Sequence, residues 1–292
     1  MLDVTDIRKT DFSSIPVDTF WNMPDEKEMK MHRIHAYPAK FPAFITTKAL
    51  EFAKDEGVSL ETIADVFCGC GTVVLEARRN NINFWGCDIN PVATLIAKAK
   101  SQKYTVKKMQ EYERLIIAKY KRLGKSKRHY TTANERLKYW FKEEQFLNLH
   151  KLKRAIEAVV PPRSKYRALF LCAFSNILKA TSVWLQKSIK PQVDPNKKPV
   201  DVLLKFKSQC KFVAAAIYEN TKQLTASVKI DTMDCLQAES HNGMIDMIIS
   251  SPPYVTSYEY ADLHQLSSLW LGVIDDYRDL REGTIGSLLM CP

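Results

Sequence analysis

Several features that would place this chain in a common class are missing from it. No apolar run approaches the ~18 residues of a membrane-spanning helix, and the start Met1-Leu2-Asp3-Val4 is acidic where a secretory signal is basic. A cytoplasmic protein with no membrane partner is expected. The seven cysteines have no paired spacing: Cys68 and Cys70 make a single C-x-C, and no second pair stands at a zinc-binding interval. Reduced thiols packed as small hydrophobes are expected, with neither a disulfide framework nor a metal. The fingerprint G-x-G-x-x-G is also missing, because Val74 stands at its third glycine, and no Walker lysine follows. Internal repeats and low-complexity tracts are absent.

Positive charge is plentiful and unevenly placed. The chain has 292 residues and carries 43 Lys and Arg against 33 Asp and Glu, a net +10. Residues 101–225 hold 28 of the basic residues and only 9 of the acidic ones, and the remainder is net acidic. Self-repulsion of that size disfavours a compact state unless a polyanion or an acidic partner relieves it. Apolar spacing of three and four predicts helices over 109–120, 136–159, 166–180 and 200–221. Loops are expected at 121–128 and 191–199. Lys125, Lys127 and Arg128 are the candidates for phosphate contacts, which are sequence-independent and salt-sensitive. Tyr139, Trp140 and Phe141 read as core rather than as stacking surfaces.

Two short stretches carry chemistry. The first, Asp65-Val66-Phe67-Cys68-Gly69-Cys70-Gly71-Thr72, lies between a predicted buried strand at 62–67 and a predicted helix at 72–80. Glycine tolerates positive φ and lets a ligand approach the main chain. Strand, glycine turn and helix is how doubly wound folds build a nucleotide crevice. A second predicted strand, 83–88, ends in Asp88, placed to accept hydrogen bonds from ribose hydroxyls. With no pyrophosphate cradle, a nucleoside cofactor lacking phosphates fits, and S-adenosylmethionine is such a molecule. A plain strand-to-helix turn explains Gly69 and Gly71 taken alone; Asp88 and the second stretch count against that reading.

The second stretch is Ser251-Pro252-Pro253-Tyr254, after the predicted strand 245–249. Its prolines remove two backbone donors and end the strand. The Ser251 hydroxyl and a proline carbonyl can then accept both protons of an exocyclic amino group. That would draw the nitrogen toward tetrahedral geometry and localise its lone pair for attack on a methyl sulfonium. Tyr254 offers a face to an unstacked base. Alone, the stretch reads as an ordinary Pro-Pro turn; beside a nucleoside-binding turn it reads as catalytic.

Together, residues 31–100 and 226–287 resemble the amino-group DNA methyltransferases. The serine of Ser251-Pro252-Pro253-Tyr254 is similar to their cytosine-N4 branch, adenine-N6 enzymes more often having Asp or Asn there. The resemblance implies that His35-Ala36-Tyr37-Pro38-Ala39-Lys40-Phe41-Pro42, with Tyr37, Pro38 and Lys40, packs around the methionine end of the cofactor. It places Asp65, Phe67, Gly69, Gly71 and Thr72 in the cofactor loop, Asp88 and Asn90 at the ribose, and Asp234 near the adenine. Two residues depart from the family pattern: Val66 where Pro is common and Cys70 where Ser is common. The Pro-Cys dipeptide of a cytosine-C5 nucleophile does not occur. Residues 184–198 resemble a family segment that approaches substrate.

The implied fold is α/β, a Rossmann-like S-adenosylmethionine-dependent methyltransferase sheet. A catalytic domain from 1–100 and 226–292 would carry a basic helical insertion, 101–225, facing double-stranded DNA. The implied activity is site-specific methylation of N4 of a flipped cytosine within a restriction-modification system, in a prokaryotic, nucleoid-associated protein. Adenine-N6 methylation is the alternative, as is a non-catalytic DNA-binding half. Only 38 residues follow Tyr254, too few for three more strands at ~30 residues per βαβ unit. Gly283-Thr284-Ile285-Gly286-Ser287 also resembles an internal segment. A sheet incomplete at its C-terminus is therefore expected, as the front of a longer enzyme or as half of a split one that a second polypeptide completes.

Overall fold

Strands β1 (Thr62–Asp65), β2 (Asn83–Asp88), β3 (Val228–Thr232) and β4 (Met247–Ile248) form one parallel sheet in the order β3-β2-β1-β4. They belong to a computed structural model that describes residues 13, 19–23, 27–188, 190–238, 244–254 and 259–284. The start at 1–4 and residues 285–287, both read in the sequence, lie outside the described residues. β1 and β2 are buried along nearly their whole length, as parallel strands covered on both faces must be. β1 pairs Ile63 with Phe84 on one side and with Met247 on the other. Among the described residues β4 has no neighbour beyond β1, and Ile248 is 60% exposed there.

The first and last predicted strands are shorter than expected. β1 stops at Asp65 because its side chain turns the chain, accepting a hydrogen bond from the Phe67 N–H at 3.1 Å. β4 has two residues, although Asp246 N–H to Thr62 O and Ile249 N–H to Ala64 O continue the pairing at either end.

Helix α1 (Ala43–Asp55) precedes β1, α2 (Thr72–Arg79) follows it, and α3 (Pro91–Ser101) follows β2. Then come α4 (Val106–Arg122), α5 (Lys127–Thr131), α6 (Glu135–Trp140), α7 (Glu143–Val159), α8 (Lys165–Thr181) and α9 (Val202–Glu219), with α10 (Tyr260–Leu271) after β4. Thr105, Ser164 and Asp201 cap the starts of α4, α8 and α9 by accepting backbone N–H bonds. The helix expected over 136–159 is two helices. Extended backbone at Phe141 breaks it and sets that ring, fully buried, edge-on to Trp270 at 5.6 Å. Trp140 and Phe141 are core as expected, but Tyr139 is not. It is 56% exposed, with the Arg136 guanidinium over its ring.

One apolar core runs from Met31, Leu75 and Ile96 through Met109, Leu152 and Phe174 to Cys210 and Trp270. The helices of the basic segment are thus packed into the same core as α2 and α3. A smaller cluster around Ile63, Val73, Phe84 and Ile249 joins one face of the sheet to α2 and α3, and Ala64, Trp85 and Cys87 form a third on the opposite face. Among the described residues no helix is long and apolar enough to cross a membrane.

Gly71 fixes the approach of α2 to α3. Its φ is +78°, and a Cβ there would sit 2.6 Å from Ala97 Cα. Left-handed backbone and overpacking against main chain together predict that Gly71→Ala lowers unfolding stability by about 2–4 kcal/mol, read by chemical denaturation. Gly124→Ala, whose Cβ would meet nothing within 4 Å, is the control and should change little. Equal midpoints for the two variants would show that this crossing does not require glycine.

Candidate active site

Every strand delivers a segment to one cleft at the carboxyl edge of the sheet. The glycine turn comes from β1, Asp88 to Asn90 from β2, Met233 to Cys235 from β3 and Ser251 to Tyr254 from β4. Tyr37 and Phe41 close it from the side. A crevice beside the strand where the winding reverses is where open α/β sheets bind ligands.

The turn after β1 is held by carboxylates. Gly69, at φ +47°, donates its N–H to Asp88 Oδ2 at 2.9 Å, and Asn90 donates its own to Asp88 Oδ1 at 2.8 Å. Asp88 thereby clamps the glycine turn to the start of α3. Each of its oxygens keeps a second lone pair, so a ribose hydroxyl can still be accepted. Burial raises the Asp88 pKa against the pull of those two N–H groups.

Asp65 makes the second clamp. Its Oδ1 accepts from Phe67 N–H at 3.1 Å and from the Ser250 hydroxyl at 2.7 Å. The residue next to Ser251 is thus tied to the glycine turn. Burial pushes the Asp65 pKa up to about 7; the bonds from Ser250 and Phe67 oppose the rise, and the nearby Asp88 charge adds to it.

Asn90 links the cleft to α10. Its Oδ1 accepts from Val92 N–H at 2.9 Å and caps α3, which turns its amide nitrogen toward His264 Nδ1 at 2.6 Å. The His264 ring packs on Tyr37 with centroids 4.8 Å apart. Burial drives the His264 pKa down to about 4, so the ring is neutral. Burial, then the Asp88 charge, raises the Tyr37 hydroxyl well above its ordinary range.

Most of the residues singled out in the sequence meet here. Tyr37, Lys40, Asp65, Phe67, Gly69, Thr72, Asp88, Asn90, Asp234 and all of Ser251-Pro252-Pro253-Tyr254 line the cleft. Two expected cofactor residues do not. Gly71 packs against α3, and Pro38 lines a second cavity behind Tyr37. Lys125, Lys127 and Arg128 are exposed and lie on no wall of the cleft. The sequence reading missed His264, Ile89, Met233 and Tyr260. Ile89 and Met233 adjoin residues that were named; His264 had no local signal, since its partner Asn90 is 174 residues away.

The lining fits a phosphate-free cation. Three carboxylates, Asp65, Asp88 and Asp234, face the space, and its one lysine, Lys40, is paired with Glu28. The Thr72 hydroxyl is buried there without a partner, leaving a polar group for a ligand to satisfy. A sulfonium nucleoside matches this charge, whereas a nucleotide's phosphates do not.

Comparison with known proteins agrees. A family model described as DNA methylase, for N6 and N4 methyltransferases, matches residues 3–99. The type II methyltransferase M.MvaI of Kocuria varians is 24% identical over 267 residues, covering 84% of this chain and 58% of that protein. The type II methyltransferase M.MjaII of Methanocaldococcus jannaschii is 32% identical over 111 residues, 37% of this chain and 20% of that protein. The chain therefore spans less than two thirds of either relative. No solved structure matches it. With the glycine turn, Asp88 and the Ser-Pro-Pro-Tyr loop brought to one cleft, the chain is similar to N6/N4 amino-group DNA methylases over residues 3–99 and, across most of its length, to a type II methyltransferase.

Proposed function

We propose that this protein moves a methyl group from S-adenosylmethionine to the exocyclic N4 of a cytosine turned out of double-stranded DNA. The observation that carries this reading is the Ser250–Asp65 bond, which sets Ser251 to Tyr254 across the cleft from the glycine turn. When bound, the cofactor supplies an electrophilic methyl on a positively charged sulfur. Asp88 and Asp65 keep the turn in place, and with Asp234 they give the cleft a negative potential. Ser251 Oγ and the Pro252 carbonyl accept the two amino protons, and Tyr254 lies against the base. Rate then comes from orientation and from acceptors already fixed where charge develops. The duplex lies along the basic segment, through phosphate contacts that include Lys125, Lys127 and Arg128, and the protein is carried on the nucleoid. The serine favours cytosine N4 over the alternative, adenine N6. Nothing in the comparisons supports a second polypeptide, and the reading invokes none.

Nucleoside analysis of duplex DNA after incubation with isotopically labelled cofactor tests the reaction. N4-methylcytosine is expected. N6-methyladenine would establish the alternative, and no labelled nucleoside would leave the chain a binding half.

Ser251→Ala and Tyr254→Ala should each depress turnover far more than cofactor affinity, since both groups touch the base. Parental methylation rates in either variant would remove this loop from the chemistry.

Cofactor affinity should also depend on pH. A cation is held more tightly by ionised Asp65, and the ionised fraction grows as pH rises through about 7. Affinity measured calorimetrically should therefore climb severalfold between about pH 6 and about pH 8, and Asp65→Asn should flatten the climb. His35 and His264, lowered by burial to about 3 and about 4, are neutral across that window and contribute nothing to it. A pH-dependent wild type with an equally pH-dependent Asp65→Asn would assign the effect to another group.

DNA affinity should fall steeply with salt. Reversing the charges of Lys125, Lys127 and Arg128 should reduce the slope of log affinity against log salt by ~0.9 per lost phosphate contact. An unchanged slope would make these three side chains merely solvated surface.

A further inference from the structure

The basic surplus of the helical segment includes an uninterrupted run. Residues 119–129 carry six Lys and Arg and no Asp or Glu. They run, mostly exposed, from the last turn of α4 through Lys125 into α5. α7 adds Lys151, Lys153 and Arg154. Lys151 Nζ lies over the Tyr120 ring of α4 at 4.4 Å. Burial and then the nearby Lys125 charge lower the Lys151 pKa, so the two ammonium groups belong to one surface. Beside these cations two imidazoles face each other. The rings of His129 on α5 and His150 on α7 have centroids 4.1 Å apart and planes 31° apart, and His150 also stacks on Phe146 at 6.3 Å. Among the described residues the ring nitrogens of this pair make no hydrogen bond and are not buried, so they are open to a ligand.

Repulsion opposes charge on both stacked rings at once. Burial, then His129, Arg154 and Lys153, pushes the His150 pKa down to about 4. Glu157 pulls the other way, but it is itself paired with Lys153 at 3.3 Å. His150 is therefore neutral in the free protein at pH 7. A phosphate diester against the pair supplies the missing negative charge, accepts from both rings and lets both hold a proton. Its neighbours along a nucleic-acid backbone recur at regular intervals, which suits cations spread over two helices and their connection. We propose that α7 and residues 119–129 form the track of the DNA backbone, and that the His129–His150 pair takes up a proton as it closes on one phosphate. The inference rests on the DNA substrate of the proposed reaction and deepens it, naming α7 as a contact element and making binding proton-linked. The complex then holds more protons than its separate parts, so affinity rises as pH falls toward the free His150 value of about 4.

The test separates DNA binding from turnover. Affinity of the full chain for a fluorescent duplex is measured by anisotropy without cofactor, and proton uptake by calorimetry in buffers of differing ionisation enthalpy. Wild-type affinity should rise about three- to tenfold from about pH 7 to about pH 5.5, with protons taken up. His150→Gln and His129→Gln, which cannot carry the charge, should flatten that rise and reduce the uptake. Lys151→Gln should instead lower the slope of log affinity against log salt by ~0.9 while the uptake is retained. A pH-independent wild type, or a His150→Gln that takes up as many protons as wild type, overturns the proposal. Binding of polyglutamate in preference to duplex DNA overturns it too and gives the surface to an acidic protein. N4-methylcytosine formed by a wild type that shows no proton uptake refutes the surface but not the reaction. Proton-linked DNA binding without any methyl transfer supports the surface and refutes the reaction.

Discussion

Two carboxylates side by side govern the geometry of this protein. Asp65 ends β1 and Asp88 ends the adjacent β2; Asp65 is buried and Asp88 partly so, and burial raises both pKa values. Burying such groups is unfavourable unless donors surround them. Here the donors are the N–H groups of Phe67, Gly69 and Asn90 and the hydroxyl of Ser250. Satisfying the carboxylates therefore dictates where the glycine turn, the start of α3 and the loop after β4 must lie. Three chain segments far apart in sequence are positioned by one electrostatic requirement. The requirement is only partly met within the chain, since free lone pairs remain, and this leaves the cleft predisposed to a cation.

The helical segment is tied to the cleft by packing rather than by a hinge. α8 lies against α3, and α10 reaches both the Asn90 amide and the core that holds Trp140 and Trp270. Gln265 on α10 accepts from both the Trp140 indole and the Arg136 guanidinium. In the proposed reaction, the element that meets DNA and the element that holds cofactor are one body.

What the sequence revealed and what it hid follow from range. The glycine turn, Asp88 and Ser251-Pro252-Pro253-Tyr254 were legible because each works through its own backbone, with positive φ, missing N–H groups or a strand end. Three of the four helices expected in the basic segment lie close to their bounds, the caps at Thr105 and Asp201 shifting them by a few residues, whereas 136–159 is divided in two and α5 begins inside the expected loop 121–128. The break at Phe141 was hidden because its cause is a distant ring, Trp270. His264 was hidden for the same reason, and Pro38 was assigned to the wrong side of Tyr37 because a local motif does not say which face each residue turns. Gly71 looked like a place for ligand approach, yet the neighbour that requires glycine is Ala97. In each case a long-range contact decided what a short pattern could not.

The net charge of +10 conceals the division that matters. The cleft gathers three carboxylates, and the basic surplus lies in the segment between β2 and β3. A cationic cofactor and a polyanionic substrate can then be drawn to different parts of one body without competing for the same groups. On the proposed reaction the ligand in the cleft loses its positive charge as the methyl leaves, while a proton is released from the amino nitrogen. A cleft lined by carboxylates holds the cation well and the neutral thioether less well. Asp65, whose pKa lies at about 7, can change protonation at neutral pH, so the cleft need not keep an uncompensated buried charge once the cation is gone. The same desolvation that makes these carboxylates costly in the empty cleft therefore favours binding before transfer and release after it.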